Sequence, residues 1–64
     1  MFSYKKFEKL CKERNVTAYQ VSQACQNVAT STLTEWKNGT YTPKAEKILQ
    51  IAKYFGVTLE YFLD

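Results

Sequence analysis

Residues 17–39, with the sequence TAYQVSQACQNVATSTLTEWKNG, decide the fold of this 64-residue chain. They predict two short helices joined by a tight turn. Thr17 begins the first of these helices. Its hydroxyl and the Gln20 side chain three residues later have the spacing of a capping box, in which each satisfies a free backbone N–H group. Gly39 ends the second helix, because glycine readily takes the left-handed conformation found just after a helix.

The second helix of this pair is expected from about residue 30 to residue 38, with one apolar and one polar side. Leu33 and Trp36 are three residues apart, which places both on the inner side. Ala29 is the expected N-cap, since Val28 and Leu33 then have the spacing of a hydrophobic staple. The outer side carries short hydroxyls and charges, namely Thr30, Ser31, Thr34, Glu35 and Lys37.

The turn between the two helices contains Gln26 and Asn27 and lacks glycine. Because asparagine tolerates left-handed geometry, we expect Asn27 to permit a tight turn without glycine. The helix before it is short, about two turns. Its predicted inner residues are Val21, Ala24 and Cys25.

Three further helices are predicted outside this pair. The first follows Ser3 as N-cap, ends at Asn15, and has one stripe made of Phe7, Leu10, Cys11 and Arg14. The next is expected to begin with Thr42 as N-cap and Pro43 as its first residue. Its apolar residues are Ala45, Ile48, Leu49, Ala52 and Phe55.

Gly56 ends that helix, and a short fifth one follows with Leu59, Phe62 and Leu63 on its apolar side. The sequence therefore predicts an all-α fold, a compact bundle of five short helices in one domain over residues 1–64.

Composition excludes several classes of function. The chain has no histidine and two cysteines, so His-based catalytic triads and four-ligand zinc sites of the usual kind are excluded. Cys11 and Cys25 are expected to be small buried residues in a reducing cytosol.

The sequence contains no nucleophile–base pair and no glycine-rich phosphate loop, so we expect neither an enzyme nor a cofactor. No apolar run approaches the roughly 20 residues of a membrane span. The net charge of +3 is compatible with an anionic partner.

Four segments of the sequence are similar to one known family. They are VTAYQVS at residues 16–22, STLTEWKNG at 31–39, PK at 43–44, and IAKYFGVTLEYFL at 51–63. Together they resemble the lambda-repressor-like DNA-binding domain of the Cro and C1 type, also called the xenobiotic response element family of bacterial and phage regulators. The resemblance covers nearly the whole chain and places a helix-turn-helix at about residues 17–38.

The resemblance implies a cytoplasmic transcriptional repressor that binds double-stranded DNA, with its third helix in the major groove. It also implies a homodimer on a two-fold symmetric operator, with no membrane and no small-molecule substrate as partner. The residues implied to face base edges are Thr30, Ser31, Thr34 and Glu35. Those implied to hold phosphates are Thr17, Tyr19, Thr32, Lys37, Asn38, Tyr41 and Lys44. The small Ser22 would let the two helices of the motif approach closely.

This sequence departs from the family pattern at three places. It has one extra residue between Val21 and Leu33, and Gln26-Asn27 fills a turn that usually contains glycine. Many members pair an arginine in the first helix with a glutamate near the end of the third, where this chain has Cys11 and Lys37. Ala29 stands where a serine or threonine cap is common.

Each assignment has a simpler alternative. The hydroxyls of the third helix are compatible with a solvated helix face as well as with DNA contact. Lys37 and Lys44 are compatible with being surface charges that favour solubility. Glu35 fits an acceptor for cytosine N4 or a partner for a neighbouring helical residue. Tyr54 and Tyr61 are candidates for a subunit contact. The alternative function is a protein-interaction module of the same fold, such as an antitoxin or anti-repressor partner.

Overall fold

Four α-helices and a terminal 3₁₀ helix make up the fold. A computed structural model describes residues 1–63, and Asp64 lies outside the described residues. The α-helices are α1 (Tyr4–Arg14), α2 (Ala18–Ala24), α3 (Thr30–Asn38) and α4 (Ala45–Phe55), and the 3₁₀ helix is Leu59–Phe62. The predicted all-α class is confirmed.

The fifth predicted helix is a 3₁₀ helix rather than an α-helix. Its backbone bonds join residues three apart, from the N–H of Tyr61 to the carbonyl of Thr58 (3.1 Å) and from Leu63 to Glu60 (3.0 Å). A segment of four residues is long enough for this tighter winding but too short for a stable α-helix.

The predicted helix ends are largely confirmed. At the start of α2 the backbone N–H of Gln20 donates to the Thr17 hydroxyl (3.1 Å), and the N–H of Thr17 donates to the Gln20 side chain (2.8 Å). Asn15, Gly39 and Gly56 follow α1, α3 and α4 in the left-handed region, with φ of 56°, 80° and 72°. A left-handed residue at this position lets backbone N–H groups satisfy the last carbonyls of the helix.

The predicted start of α4 is wrong by two residues. Lys44 is the N-cap and Ala45 the first helical residue, so Thr42 and Pro43 lie in the preceding loop. The ring of Pro43 is one of the larger fully buried groups of the molecule. Proline's fixed φ suits extended backbone as well as a helix start, so core packing decides where this residue sits.

Aromatic rings join three of the helices at the centre of the core. Phe7 of α1 lies 5.5 Å from Trp36 of α3 and 6.1 Å from Phe55 of α4, measured between ring centroids. Tyr4 meets Trp36 edge-on at 5.4 Å. Offset and edge-on arrangements of this kind stabilise a core beyond the burial of area alone. The inner side of α3 therefore packs against α1, and the same Phe7 ring joins α1 to α4.

Five residues predicted on apolar stripes are exposed instead, and one of them is Leu63, which is 39% exposed and follows the 3₁₀ helix. Ala24, Ala45 and Arg14 lie in solvent, and Leu49 is 42% exposed. The buried stripe of α4 is narrower than the apolar pattern suggests, with Ile48, Ile51, Ala52 and Phe55 as its members. A small bundle covers only one side of each helix, so apolar residues at the edge of a stripe stay accessible.

The two ends of the described chain are joined to each other and to α3. The N–H of Ser3 donates to the carbonyl of Phe62 (2.7 Å), and Lys6 Nζ donates to the carbonyl of Leu63 (2.7 Å). Trp36 Nε1 donates to the carbonyl of Phe2 (3.3 Å). This last bond satisfies the polar atom of an indole that is only 4% exposed, and it ties α3 to the start of the chain.

Both cysteines are free and buried, as the sequence predicts. Burial raises the pKa of the Cys11 thiol above its ordinary value of 9.0, and the carboxylate of Glu8 raises it further. Burial alone raises the pKa of Cys25. In the folded protein both thiols therefore hold their protons at a pH where an unfolded chain has begun to release them.

We predict that the free energy of unfolding decreases as the pH rises above about 9. A raised pKa in the folded state contributes stability that is fully present below the ordinary value and is lost as the pH rises through the raised one. Urea denaturation from about pH 7 to about pH 10.5, under reducing conditions, measures the decrease in the natural protein and in a Cys11→Ala/Cys25→Ala variant. The variant should lose stability less steeply, and parallel pH profiles would contradict the prediction.

Candidate nucleic-acid interface

A serine side chain connects the two helices of the central pair. Ser22 of α2 donates from its hydroxyl to the carbonyl of Val28 at 2.7 Å. The hydroxyl of Thr30, at the start of α3, donates to the Ser22 oxygen at 3.2 Å. A small side chain permits this close approach, so α2 and α3 are linked both at the end of the turn and at the first residue of α3.

The turn itself contains no left-handed residue, so the prediction for Asn27 is wrong. Within residues 1–63 positive φ occurs only at Asn15, Gly39 and Gly56. The connection runs through residues 25–29, and both Cys25 and Ala29 have extended backbone. Spreading the reversal over five residues removes the need for glycine. The turn therefore connects two intact helices along a path of five residues.

One side of α3 is free along its whole length. Leu33 and Trp36 are buried, whereas all four predicted base-facing residues, Thr30, Ser31, Thr34 and Glu35, are exposed. At about 100° per residue, the exposed positions span a continuous arc opposite Leu33 and Trp36, with Glu35 at one edge and Lys37 at the other. α3 therefore presents a narrow face of short side chains flanked by one acid and one base.

Two hydroxyls on this face already donate within the protein. Thr34 donates to the carbonyl of Thr30 at 3.2 Å, and Thr30 donates to Ser22 as described above. A hydroxyl has one proton and two lone pairs, so in this arrangement both oxygens retain acceptor capacity toward a partner.

The residues predicted to hold phosphates fall into two groups. Thr17 and Tyr19 lie at the start of α2, where Tyr19 is 61% exposed. The other group surrounds the end of α3 and the following loop, and all of its members are exposed: Lys37, Asn38, Tyr41 and Lys44. Thr32 belongs to neither group, because it is half-buried on the inner edge of α3.

The loop after α3 is fixed by bonds to the helix end. The backbone N–H and the hydroxyl of Thr40 both donate to the carbonyl of Glu35, at 3.0 and 3.2 Å. The N–H of Gly39 donates to the carbonyl of Trp36 at 3.1 Å. These bonds satisfy carbonyls that a helix end leaves without partners, and they hold the exposed residues of the loop beside α3.

Lys47 and Gln50 of α4 contact the turn between α2 and α3, and neither contact is predicted from the sequence. Lys47 Nζ donates to the carbonyl of Asn27 at 2.7 Å, and Gln50 Oε1 accepts from the N–H of Asn27 at 3.4 Å. A lysine and a glutamine three residues apart on an amphipathic helix look like ordinary surface residues. Only the packing of α2 against α4 brings them to the turn.

Residues 1–63 contain neither a candidate metal-binding cluster nor a helix able to span a membrane. No group of three or more His, Cys, Asp or Glu side chains there is arranged to hold a metal ion. None of the helices in that range combines the length and the apolar character needed to cross a membrane.

We predict that Ser22→Ala lowers the free energy of unfolding by about 1–2 kcal/mol, because it removes the partner of the Val28 carbonyl and of the Thr30 hydroxyl. Thr34→Val is the matched control. It removes an exposed hydroxyl of α3 that donates only to its own helix, and it should change stability by less than about 0.5 kcal/mol. Urea denaturation of the three proteins measures both values, and equal effects of the two substitutions would contradict the assignment.

Comparison with known proteins agrees with this geometry. The family model described as helix-turn-helix matches residues 7–62, which extends from α1 through the 3₁₀ helix. No curated protein and no solved structure matched the chain. The match covers most of the chain and includes both helices of the central pair with their connecting turn. The chain therefore belongs to the Cro/C1-type, lambda-repressor-like helix-turn-helix family and is a DNA-binding regulator.

Proposed function

We propose that this protein is a bacterial or phage transcriptional repressor that recognises a specific duplex sequence with the exposed face of α3. The observation that carries the proposal is the division of α3 into two sides. Its inner side is buried through Leu33 and Trp36, and its outer side consists of short polar side chains in solvent. The major groove of B-DNA admits one α-helix, and such a helix reads bases with side chains near its N-terminus.

Base contacts are assigned to Thr30, Ser31, Thr34 and Glu35. Thr30 and Ser31 occupy the first turn of α3, and their short side chains allow the helix backbone to approach the base edges closely. The free acceptor capacity of the Thr30 and Thr34 oxygens matches the amino groups of adenine and cytosine in the major groove. The Glu35 carboxylate, at the edge of the face, is suited to accept from cytosine N4.

Phosphate contacts are assigned to the two groups on either side of this face. Thr17 and Tyr19 would contact one stretch of backbone, and Lys37, Asn38, Tyr41 and Lys44 the other. Contacts of this kind fix the register of a protein on DNA but carry no direct sequence information. Thr32 lies outside both groups, and because it is half-buried we assign it only a phosphate contact at the edge of the groove.

We infer further that residues 1–64 act as one DNA-binding domain that binds as a homodimer. One small module makes few base contacts, so two copies are needed to prefer a specific site over random DNA by a factor of about 10³ or more. Two-fold symmetry then places the half-sites one helical turn apart, about 34 Å. Tyr54, which is 41% exposed, and the half-buried Tyr61 are the proposed subunit contacts. The regulator would act in the cytoplasm, on the DNA of the cell.

The first test is selection of duplexes from a randomised pool by the purified protein. We expect enrichment of a sequence with two related half-sites whose centres are about 10 base pairs apart. The affinity for that duplex should decrease steeply with salt, because phosphate contacts release counterions. If no sequence is enriched, and NMR shifts on adding duplex avoid residues 30–37, the DNA-reading function is wrong and the interaction-module alternative replaces it.

The second test separates phosphate contacts from base contacts. Lys37→Ala should weaken binding of the selected duplex and of a random-sequence duplex by a similar factor, and reduce the salt slope by about one per subunit. Ser31→Ala should cost about 1 kcal/mol per half-site on the selected duplex and leave the random duplex nearly unaffected. Fluorescence anisotropy over a salt series measures both.

Lys9→Ala is the control for these measurements, because it removes an exposed lysine of α1 outside the assigned contacts. Its salt slope should equal that of the natural protein. A uniform loss for Ser31→Ala, or a sequence-dependent loss for Lys37→Ala, would overturn the assigned contacts.

A further inference from the structure

Both peptide groups that flank Asn27 are bonded to side chains from a different helix. Lys47 Nζ donates to the Asn27 carbonyl at 2.7 Å, and the Asn27 N–H donates to Gln50 Oε1 at 3.4 Å. Lys47 and Gln50 are three residues apart, so they share one face of α4. We call these two bonds the Asn27 clamp. Next to it, Cys25 Sγ donates to the backbone carbonyl of Gln50 at 3.8 Å.

The clamp joins an exposed residue of the turn to a helix outside the central pair. The turn carries no left-handed residue, so its path is not set by a glycine-type reversal, and bonds to another helix restrict it instead. α4 supplies a donor and an acceptor at a single residue. Lys47 is half-buried, so its aliphatic stem packs on the protein while its ammonium reaches the turn.

Only two residues, Val28 and Ala29, separate the clamp from the first residue of α3. Val28 is 3% exposed and its carbonyl accepts from Ser22. The carbonyl of Ala29 accepts from the N–H groups of Thr32 and Leu33, which begins α3. Because only these two residues separate Asn27 from Thr30, the position of Asn27 restricts where the chain enters the end of α3 that carries Thr30 and Ser31.

We propose that Lys47 and Gln50 are positioning residues for DNA reading, which fix the turn and thereby the placement of the α3 N-terminus. The proposal rests on the proposed function, since it concerns how the same face of α3 meets the bases. It also assigns the Lys47 ammonium to a backbone carbonyl rather than to a phosphate. Loss of this lysine should then change sequence preference without changing the number of counterions released.

The test compares four variants. Lys47→Met keeps most of the stem and removes the donor, and Lys47→Arg restores a donor. Gln50→Leu removes the acceptor without touching a charge, and it tests the clamp independently if Lys47→Met fails to fold. Lys53→Met is the matched control, because it removes the same charge from an exposed position on the same helix.

The first measurement is amide hydrogen exchange without DNA. We expect faster exchange over residues 27–31 in Lys47→Met and Gln50→Leu, and exchange like that of the natural protein in Lys47→Arg and Lys53→Met. Unchanged exchange in both Lys47→Met and Gln50→Leu would overturn the clamp. This measurement needs no DNA, so it decides on the clamp even if the natural protein prefers no duplex and the proposed function fails.

The second measurement is affinity for the selected duplex and for a random-sequence duplex of the same length. We expect Lys47→Met to lower the preference for the selected duplex by about ten-fold, the effect of one mismatched base pair, with an unchanged salt slope. Lys47→Arg should restore most of that preference. An equal loss on both duplexes with a smaller salt slope would show a phosphate contact and overturn the positioning assignment, as would an unchanged preference.

Discussion

Burial of the inner side of α3 is the interaction on which the rest of the structure depends. Leu33 and Trp36 are nearly completely buried, and the Trp36 ring meets both Tyr4 and Phe7 of α1. A helix of nine residues is marginal on its own in water, so packing must supply its stability. Because the buried side of α3 supplies this stability, the residues on the opposite side do not have to contribute to it and can instead suit a binding partner. Short hydroxyls that contribute little to helix stability are tolerated there.

The turn between α2 and α3 is held by hydrogen bonds to other helices, and its backbone conformation explains why such bonds matter. A glycine turn reverses the chain sharply and holds itself by local geometry. Here the reversal takes five residues with ordinary backbone angles, and the partners of Asn27 come from α4. Ser22 supplies a further bond from α2. The relative placement of α2 and α3 thus depends on a third helix, so side chains remote from the exposed face of α3 influence how it is presented.

Local signals account for what the sequence predicts correctly. Several helix ends are predicted correctly because capping and left-handed backbone depend on residues a few positions apart. This holds for the capping box of Thr17 and Gln20 and for the helix ends at Asn15 and the two glycines. The exposed and buried sides of α3 follow from spacing alone. The errors have tertiary causes. Pro43 lies outside α4 because its ring is buried, and Leu49 is exposed because the bundle is too small to cover the edge of its helix. Lys47 was missed because its partner is 20 residues away in sequence.

The charge of the chain makes the placement of α3 more important in the proposed complex. The net charge is only +3, and the exposed cations beside α3 are few. Non-specific affinity for DNA grows with the number of phosphates that cations neutralise, so a chain with few such cations binds random sequence weakly. A larger share of the binding free energy must then come from base contacts, whose strength depends on hydrogen-bond distance and angle. Contacts made by short side chains tolerate little movement of the helix. A turn held by two side chains of α4 and one of α2 is consistent with that demand, because it limits the movement of the α3 end that makes those contacts.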